Sequence, residues 1–420
     1  MAHPLLRVPG FAIYLFSRFM HGLILRGLAV AVGYHIYELT SDPVALGYVG
    51  LAMFVPVVTL GLVAGDIADR MNRAVMLTIS SAAAALSCAG LFLVTILGVT
   101  SPMPFYALTT LFGMSLAFAR PAMPSLVPQL VGPEQTPAGI ALASAIAQSA
   151  TVLGPPAIGA VLIAGPAAAY AVMTGIATLT AFCWPFLIPY ARVEAVQAGG
   201  PQIFKRIAAG FGIVWRRKLI LGAMSLDLFA VLLGSVMALL PVFARDILMV
   251  GPLGLGLLRA APAVGAVLMA VLLARMATPR PAGHIILFGA GVFGVSIIVF
   301  GLSESFILSL VALFVSGIAD MIGNILRNSA VQLSAANEVR GRINSVNQVF
   351  ISGANELGDF RAGLSAGLIG AVPAVILGGA GTIAVAALWA WIFPDLRKLD
   401  RLTDIKPEAG PGPTPAAPAK

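Results

Sequence analysis

The chain has 420 residues, of which 59% are hydrophobic and 10% charged, and its mean hydropathy is +0.97. A soluble domain carries about 25% charged residues, so this composition excludes a water-facing surface and suits a lipid-facing one. The formal charge of +8 does not mark a nucleic-acid binder, because the basic residues lie between apolar spans and form no array with aromatic side chains.

A spanning helix needs about 20 mostly apolar residues, and stretches of that length follow one another with short interruptions. The pattern predicts an all-α integral membrane protein of twelve transmembrane helices. The first six lie near 11–37, 46–64, 74–97, 105–118, 139–164 and 167–188, and the second six near 219–243, 255–274, 283–302, 306–326, 343–369 and 372–393. The abundant glycine and proline suit such a bundle, since small residues let helices approach and neighbours satisfy a proline kink. The first span carries Arg18 and Arg26 and lacks a small-residue cleavage site, so it reads as a retained helix and not a signal peptide.

These spans divide the chain into an N-terminal bundle (1–190), a linker (191–218), a C-terminal bundle (219–402) and a Pro/Ala/Gly-rich tail (403–420) expected to be disordered. In the linker Ile203, Ile207, Phe211 and Val214 recur at helical spacing beside Lys205 and Arg206, the pattern of a helix lying on the inner membrane surface. Pro43-Val-Ala-Leu46-Gly47 and Pro252-Leu-Gly-Leu255-Gly256 occupy corresponding places in the two series. Helix count, linker and this match support a six-plus-six repeat. Of the turns on the far side only one holds a basic residue, Arg245. Arg70, Arg73, Lys205, Arg206, Arg217, Lys218, Arg275, Arg280, Arg340, Arg342, Arg397 and Lys398 all fall on the other side. The positive-inside rule then puts both termini in the cytoplasm.

Ionisable residues inside spans are expensive and are functional candidates by default. The first helix has Arg18, His21 and Arg26, with Arg18 and His21 on one face. Asp227 is the counterpart of Arg18 in the repeat, and both are expected to face a central cavity, as a pair or through water. His21 is a hydrogen-bonded core residue or a group that titrates near neutral pH. In the eleventh helix Asn344, Gln348, Ser352, Glu356 and Asp359 recur at i+3 or i+4, with Asn347 and Asn355 beside them, as one polar stripe facing a cavity or a partner helix. Two carboxyls one turn apart in a low dielectric resist ionising together, so Glu356 and Asp359 join Asp227 and His21 as proton-coupling candidates. Arg361 is expected to snorkel outward or to neutralise a neighbour. Arg259 and Asp320 complete the set, as cavity groups or as an ion pair that fixes helix packing. Arg18, Arg26, Arg259, Gln348, Ser352 and Asn355 are the substrate candidates. Cys88 and Cys183 lie in apolar runs and read as packing residues. Four histidines and two cysteines form no metal-ligand cluster. No Gly-x-Ser-x-Gly elbow or phosphate loop is present, so no cofactor, no metal and no enzyme chemistry is expected.

Between the second and third helices stands Gly65-Asp66-Ile67-Ala68-Asp69-Arg70-Met71-Asn72-Arg73. Gly65, Asp69, Arg70 and Arg73 match the inner-loop signature of the major facilitator superfamily, with Asn72 where glycine is commoner. The fifth helix carries Gly154-Pro155-Pro156-Ala157-Ile158-Gly159, which is similar to that superfamily's antiporter motif with Ile158 in place of a glycine. Tyr37-Glu38-Leu39-Thr40, Leu257 to Ala266 and Asn355-Glu356-Leu357-Gly358 resemble its efflux branch, which includes siderophore exporters and macrolide efflux proteins. The resemblance implies two pseudo-symmetric six-helix bundles and a gating loop at Gly65, Asp69, Arg70 and Arg73 that latches the outward-open state. It further implies export of a bulky organic compound by proton antiport, by a protein of the bacterial inner membrane acting as a monomer. A lipid or lysolipid flippase and a proton-coupled uptake symporter are the rivals. The topology has its own test: a fluorescent protein fused after Lys420 should fluoresce while alkaline phosphatase fused there stays inactive, and the reverse result would invert the orientation.

Overall fold

A computed structural model describes residues 4–191, 212, 214, 215, 217–276, 279–334 and 337–401, without the side chains at 4, 62, 69, 337–342, 344, 345, 348, 349 and 352. Six long helices come first: α1 (Phe11–Thr40), α2 (Pro43–Arg70), α3 (Arg73–Ile96), α4 (Met103–Val131), α5 (Thr136–Val161) and α6 (Pro166–Cys183). Six more follow: α7 (Lys218–Gly234), α8 (Gly251–Arg275), α9 (Ala282–Leu302), α10 (Phe306–Ser334), α11 (Asn337–Ile369) and α12 (Ala371–Ile392). Most of the predicted linker helix and the tail after 403 lie outside the described residues. Val214, the last apolar position of that pattern, is buried.

Local chemistry sets the turns. Asp42 caps α2 by accepting from the Val44 N–H at 2.9 Å, with Pro43 pre-set for the first turn. Asn72 caps α3 by accepting from Ala74 and Val75, and its amide also donates to the Ala191 carbonyl at 2.7 Å. A glycine at this position could do neither. The motif expected as a loop is therefore mostly helix: α2 runs through Arg70, and only Met71 and Asn72 turn the chain.

α2, α4 and α10 each run past the end that their hydrophobicity predicts. α4 was expected to stop at Phe118 but continues through Arg120, Pro121, Pro124 and Pro128 to Val131. The Ser125 hydroxyl donates to the Pro121 carbonyl at 2.7 Å and Arg73 donates to the Ser125 carbonyl at 3.3 Å, bonding a backbone whose ladder the prolines thin. α10 was expected to end at Leu326 and runs on to Ser334. Among the described residues ten helices are long and apolar enough to cross a membrane on composition alone, α4 and α11 not being among them. α7 breaks after Gly234, where Ser235 turns extended, and short helical turns resume from Met237 to Ile247.

Within the first half α1 packs on α5 and α6, α2 on α4, and α3 on α4 and α6. Within the second, α7 packs on α11 and α12, α8 on α10, and α9 on α10 and α12. The halves meet along two crossings, α2 with α11 and α5 with α8. Both crossings are built from glycines near the α1–α2 end. A Cβ on Gly363 would stand 2.8 Å from the Pro43 carbonyl, and one on Gly159 would stand 2.6 Å from the Pro252 carbonyl. Backbone thus lies directly on backbone, as small-residue interfaces permit.

The apolar cores follow the same division. At the α1–α2 end a single buried cluster includes Leu28, Ile36, Phe112 and Tyr170 of the first half with Leu240, Phe243, Phe300 and Ala366 of the second. At the α2–α3 end each half has its own core, one around Phe11, Tyr14 and Trp184, the other around Ile220, Ile286 and Trp389. Each of these tryptophans gives its N–H to a serine: Trp184 to Ser81 at 2.9 Å and Trp389 to Ser225 at 3.0 Å. The structure is therefore sealed at the α1–α2 end and divided at the other.

Packing this close predicts an asymmetric response to small substitutions. A Cβ at Gly317 would run into the Pro262 carbonyl, whereas one at Gly175 meets nothing within 4 Å. Gly317→Val should lower the melting temperature of the detergent-solubilised protein by the equivalent of about 1–3 kcal/mol, and Gly175→Ala should leave it unchanged.

Candidate functional site

Charged side chains from both halves converge between the two bundles. Arg26 stands at the midpoint of α1 and Arg120 lies on α4; Arg259 comes from α8, and Glu356 and Asp359 from α11. Glu356 is within electrostatic reach of Asp359, Arg120, Arg259 and Arg26. Gly50 of α2 lies against this pair: a Cβ there would sit in ordinary contact, 3.7 Å from Asp359 Cβ and 4.0 Å from Glu356 Oε2. Arg259 crosses between the halves and donates to the Ala29 carbonyl of α1 at 3.3 Å. Arg26 and Arg120 are exposed despite their depth, so the space between the halves reaches their guanidinium groups.

Asp359 and Arg361 have a further task on the break in α7. Asp359 accepts from the Ser235 hydroxyl and from the Ala238 backbone N–H. Arg361 donates to the carbonyls of Leu232 at 3.0 Å and Leu233 at 2.6 Å. A broken helix inside a membrane frees carbonyls that must be satisfied by protein, and Arg361 satisfies two of them. The expectation that Arg361 snorkels outward is thereby corrected.

Other predicted positions separate from this cluster. Arg18 and Asp227 do not meet. Arg18 donates to the Ala143 carbonyl at 3.0 Å and reaches Met123 Sδ at 3.7 Å, tying α1 to α5 and α4. Asp227 pairs with Arg327 of α10, which also stands 3.5 Å from Asp320. Asp320 therefore pairs with Arg327 and not with Arg259. The repeat relates positions and does not make them partners: Arg18 and Asp227 each find the nearest donor or acceptor in their own half. His21 is buried near Arg18 and Arg120. Asn355 is exposed and donates to the Ile351 carbonyl of its own helix at 2.8 Å. The side chains of Gln348, Ser352 and Asp69 lie outside the described residues.

The motif residues divide between the two ends. Gly154 packs against Leu23 and Arg26 of α1, and Pro155 and Gly159 form the crossing with Pro252 and Gly256. At the other end Arg70 pairs with Asp66 of its own helix at 3.1 Å, with both side chains exposed. An i,i+4 pair of that kind contributes about 0.3–0.5 kcal/mol. A Cβ at Gly65 would meet nothing within 4 Å.

A joint that the sequence did not announce seals the α1–α2 end. The Tyr37 hydroxyl of α1 donates to Asp246, in the turns after α7. Arg245 donates to the Tyr37 carbonyl at 3.0 Å and stacks over its ring at 5.5 Å. Tyr48 of α2 and Phe360 of α11 add a tilted aromatic contact at 5.9 Å. Arg120 and Arg327 were also missed, because each follows a point where the apolar run ends.

A family profile described as transmembrane secretion effector matches residues 16–415. The enterobactin exporter EntS of Escherichia coli O1:K1 is 26% identical over 403 residues, covering 93% of each chain. EntS of Shigella boydii serotype 18 matches to the same extent. Among solved structures, a mutant of the nucleoside transporter NupG superposes with a TM-score of 0.73 at 12% identity, covering 91% of this chain and 100% of that one. The peptide transporter POT in complex with sulfate gives 0.70 at 14% identity, covering 93% and 95%. At such identities these structures speak to the fold alone.

If the Tyr37–Asp246–Arg245 joint closes this end, removing it should open a path. With Cys88 and Cys183 replaced by alanine, a cysteine at Ala29 should resist an impermeant maleimide applied to intact cells. Adding Tyr37→Phe and Asp246→Asn should raise its labelling several-fold, and unchanged labelling would remove the joint from the closing mechanism.

Proposed function

Because the chain belongs to the transmembrane secretion effector family of the major facilitator superfamily, we propose that it is a secondary active transporter exporting a bulky, siderophore- or drug-like organic compound in exchange for protons. A multi-pass transporter is what the family establishes. Export, its substrate class and its coupling are our reading, and the observation that carries it is the charge cluster held between the two halves. Arg26 and Arg120 face Glu356 across the plane where the halves meet, and Arg259 stands beside Glu356 and Asp359 from their own half. A site placed there can present its ligand to one side and then the other as one half rocks against its partner.

Arg361, which bonds the α7 carbonyls, also stands near Asp359, so four guanidinium groups stand against two carboxylates. This positive surplus suits a compound that presents an anionic or electron-rich oxygen face, which arginine recognises through its planar fork of donors. The α2–α3 end is cytoplasmic in this reading, so the conformation described is open to the inside. The Gly65–Arg73 motif latches the opposite state, and among the described residues Arg70 is here paired within its own helix. Glu356, Asp359, Asp227 and His21 remain the proton-coupling candidates.

In an efflux-deficient bacterium expressing the chain, accumulation of at least one compound from a panel of siderophores, macrolides, dyes and lysolipids should fall, and a protonophore should restore it. Arg259→Gln and Glu356→Gln should each cut that export by about tenfold or more, the scale of losing one charge-assisted contact of about 1.5–3 kcal/mol. If no compound responds while the protein reaches the membrane, uptake or lipid movement replaces the export reading.

A further inference from the structure

The second charged cluster lies wholly within the C-terminal half and has the opposite balance. Asp320 and Arg327 are two turns apart on α10, on one face, and Asp227 approaches from α7. The Arg327 guanidinium bonds Asp227 and stands 3.5 Å from Asp320, with its side chain only 8% exposed. A Cβ on Gly323, one turn before, would collide with that guanidinium, so the glycine gives Arg327 its place.

Two small cavities meet at this pair, and both are lined by Asp227 and Arg327. On one side Asn324, Asn328 and Asn347 line the space. Asn347 donates to Asn328 at 2.9 Å, and Asn328 donates to Asn324, giving a polar approach from α11. On the other side Asp320 shares its cavity with Ala230, Val231, Gly289, Ala290, Phe293 and Ala319. α9 thus presents only glycine, alanine and phenylalanine here, and α11 presents Asn347 and Ile351. Among the lining residues the charged groups are Asp227, Asp320 and Arg327 alone.

One guanidinium neutralises one carboxylate. Asp227 holds it more closely, which leaves Asp320, with its side chain 42% exposed, carrying a surplus negative charge toward a cavity otherwise lined by apolar groups within the bundle. Such a charge is strongly disfavoured unless it is paired or protonated. The central cluster has no such deficit, since its surplus is positive. We propose that Asp320 is the site at which a coupling proton is loaded and released, with Arg327 shared between Asp320 and Asp227 as the element that senses it. This rests on the proposed exchange with protons and assigns that exchange a residue.

The step is a simple proton transfer: the Asp320 carboxyl releases a proton to water and becomes a carboxylate, or takes one up. With the proton on, Asp227 and Arg327 form a balanced pair. With it off, two carboxylates on different helices compete for one guanidinium. The competition bears on α7, whose broken continuation carries Arg245 and Asp246 to the joint with Tyr37. Proton occupancy at Asp320 is thereby linked to the closed end through one helix.

The test uses the full-length protein reconstituted in lipid, without any substrate. Infrared difference spectra are recorded as the pH is stepped. A protonated-carboxyl C=O band should disappear as the pH rises. That band should be lost in Asp320→Asn, moved in frequency in Asp320→Glu and retained in Glu356→Gln. A folded Asp320→Asn whose difference spectrum matches the wild type's, or an Asp320→Glu in which no component moves, would overturn the assignment, as would a wild-type protein with no titrating band. A titrating Asp320 band in a chain that exports nothing would instead leave the proton site standing and remove the transport reading.

Discussion

A guanidinium or carboxylate inside a membrane bundle is costly unless the protein gives it a partner, and that requirement organises this molecule. Three kinds of partner are used. Arg18 and Arg361 bond backbone carbonyls, and Arg259 bonds one while also standing beside Glu356 and Asp359. Arg327 bonds carboxylates. Arg26 and Arg120 have Glu356 in electrostatic reach. The first kind fixes helices in place: Arg361 and Asp359 together stabilise the break in α7, a site where backbone would otherwise be left unsatisfied. The other kinds leave charge unbalanced, positive between the halves and negative within the C-terminal half. Unbalanced charge in a low dielectric is what a ligand or a proton can settle.

The packing around these charges is suited to two discrete states. Glycine-on-backbone crossings and one shared apolar core join the halves near the α1–α2 end, while separate cores close each half at the other. Each half is internally dense, so rocking one against its partner would exchange contacts at the crossings without repacking either interior. The Tyr37–Asp246–Arg245 joint is small, polar and rim-placed, the kind of contact that can form and break as the halves move. α7 connects this joint to Asp227 and, through Ser235, to Asp359, so the closed end, the central cluster and the second cluster share one helix.

Much of this was legible from the residues. Apolar run lengths placed all twelve helices, and the stripe on α11 marked Glu356 and Asp359 as inward-facing, because a carboxyl pair at i+3 has no tolerable place against lipid. What could not be read was partnership. The repeat related Arg18 to Asp227, but the partner of each depends on which neighbour lies nearest in three dimensions: an α5 carbonyl for one, Arg327 for the other. Arg120 and Arg327 escaped for a shared reason. Pro121, Pro124 and Pro128 after one, and Asn324 and Asn328 around the other, resemble loop chemistry, and only tertiary contacts keep those stretches helical. The destination of Arg361 depended on a break in α7 that hydrophobicity does not reveal, since Ser235 interrupts an otherwise apolar run.

The central claim is that the two halves exchange one closed end for the other around a fixed charge cluster. Spin labels on opposite halves test it most directly, one pair at Ser101 and Ser305 near the α1–α2 end and one at Gln135 and Met276 near the α2–α3 end. Distances in lipid should show the first pair short when the second is long, and a shift of pH across the titrating range should move the two in opposite directions. Distances that stay fixed at both ends, or lengthen and shorten together, would contradict alternating access as the account of this protein.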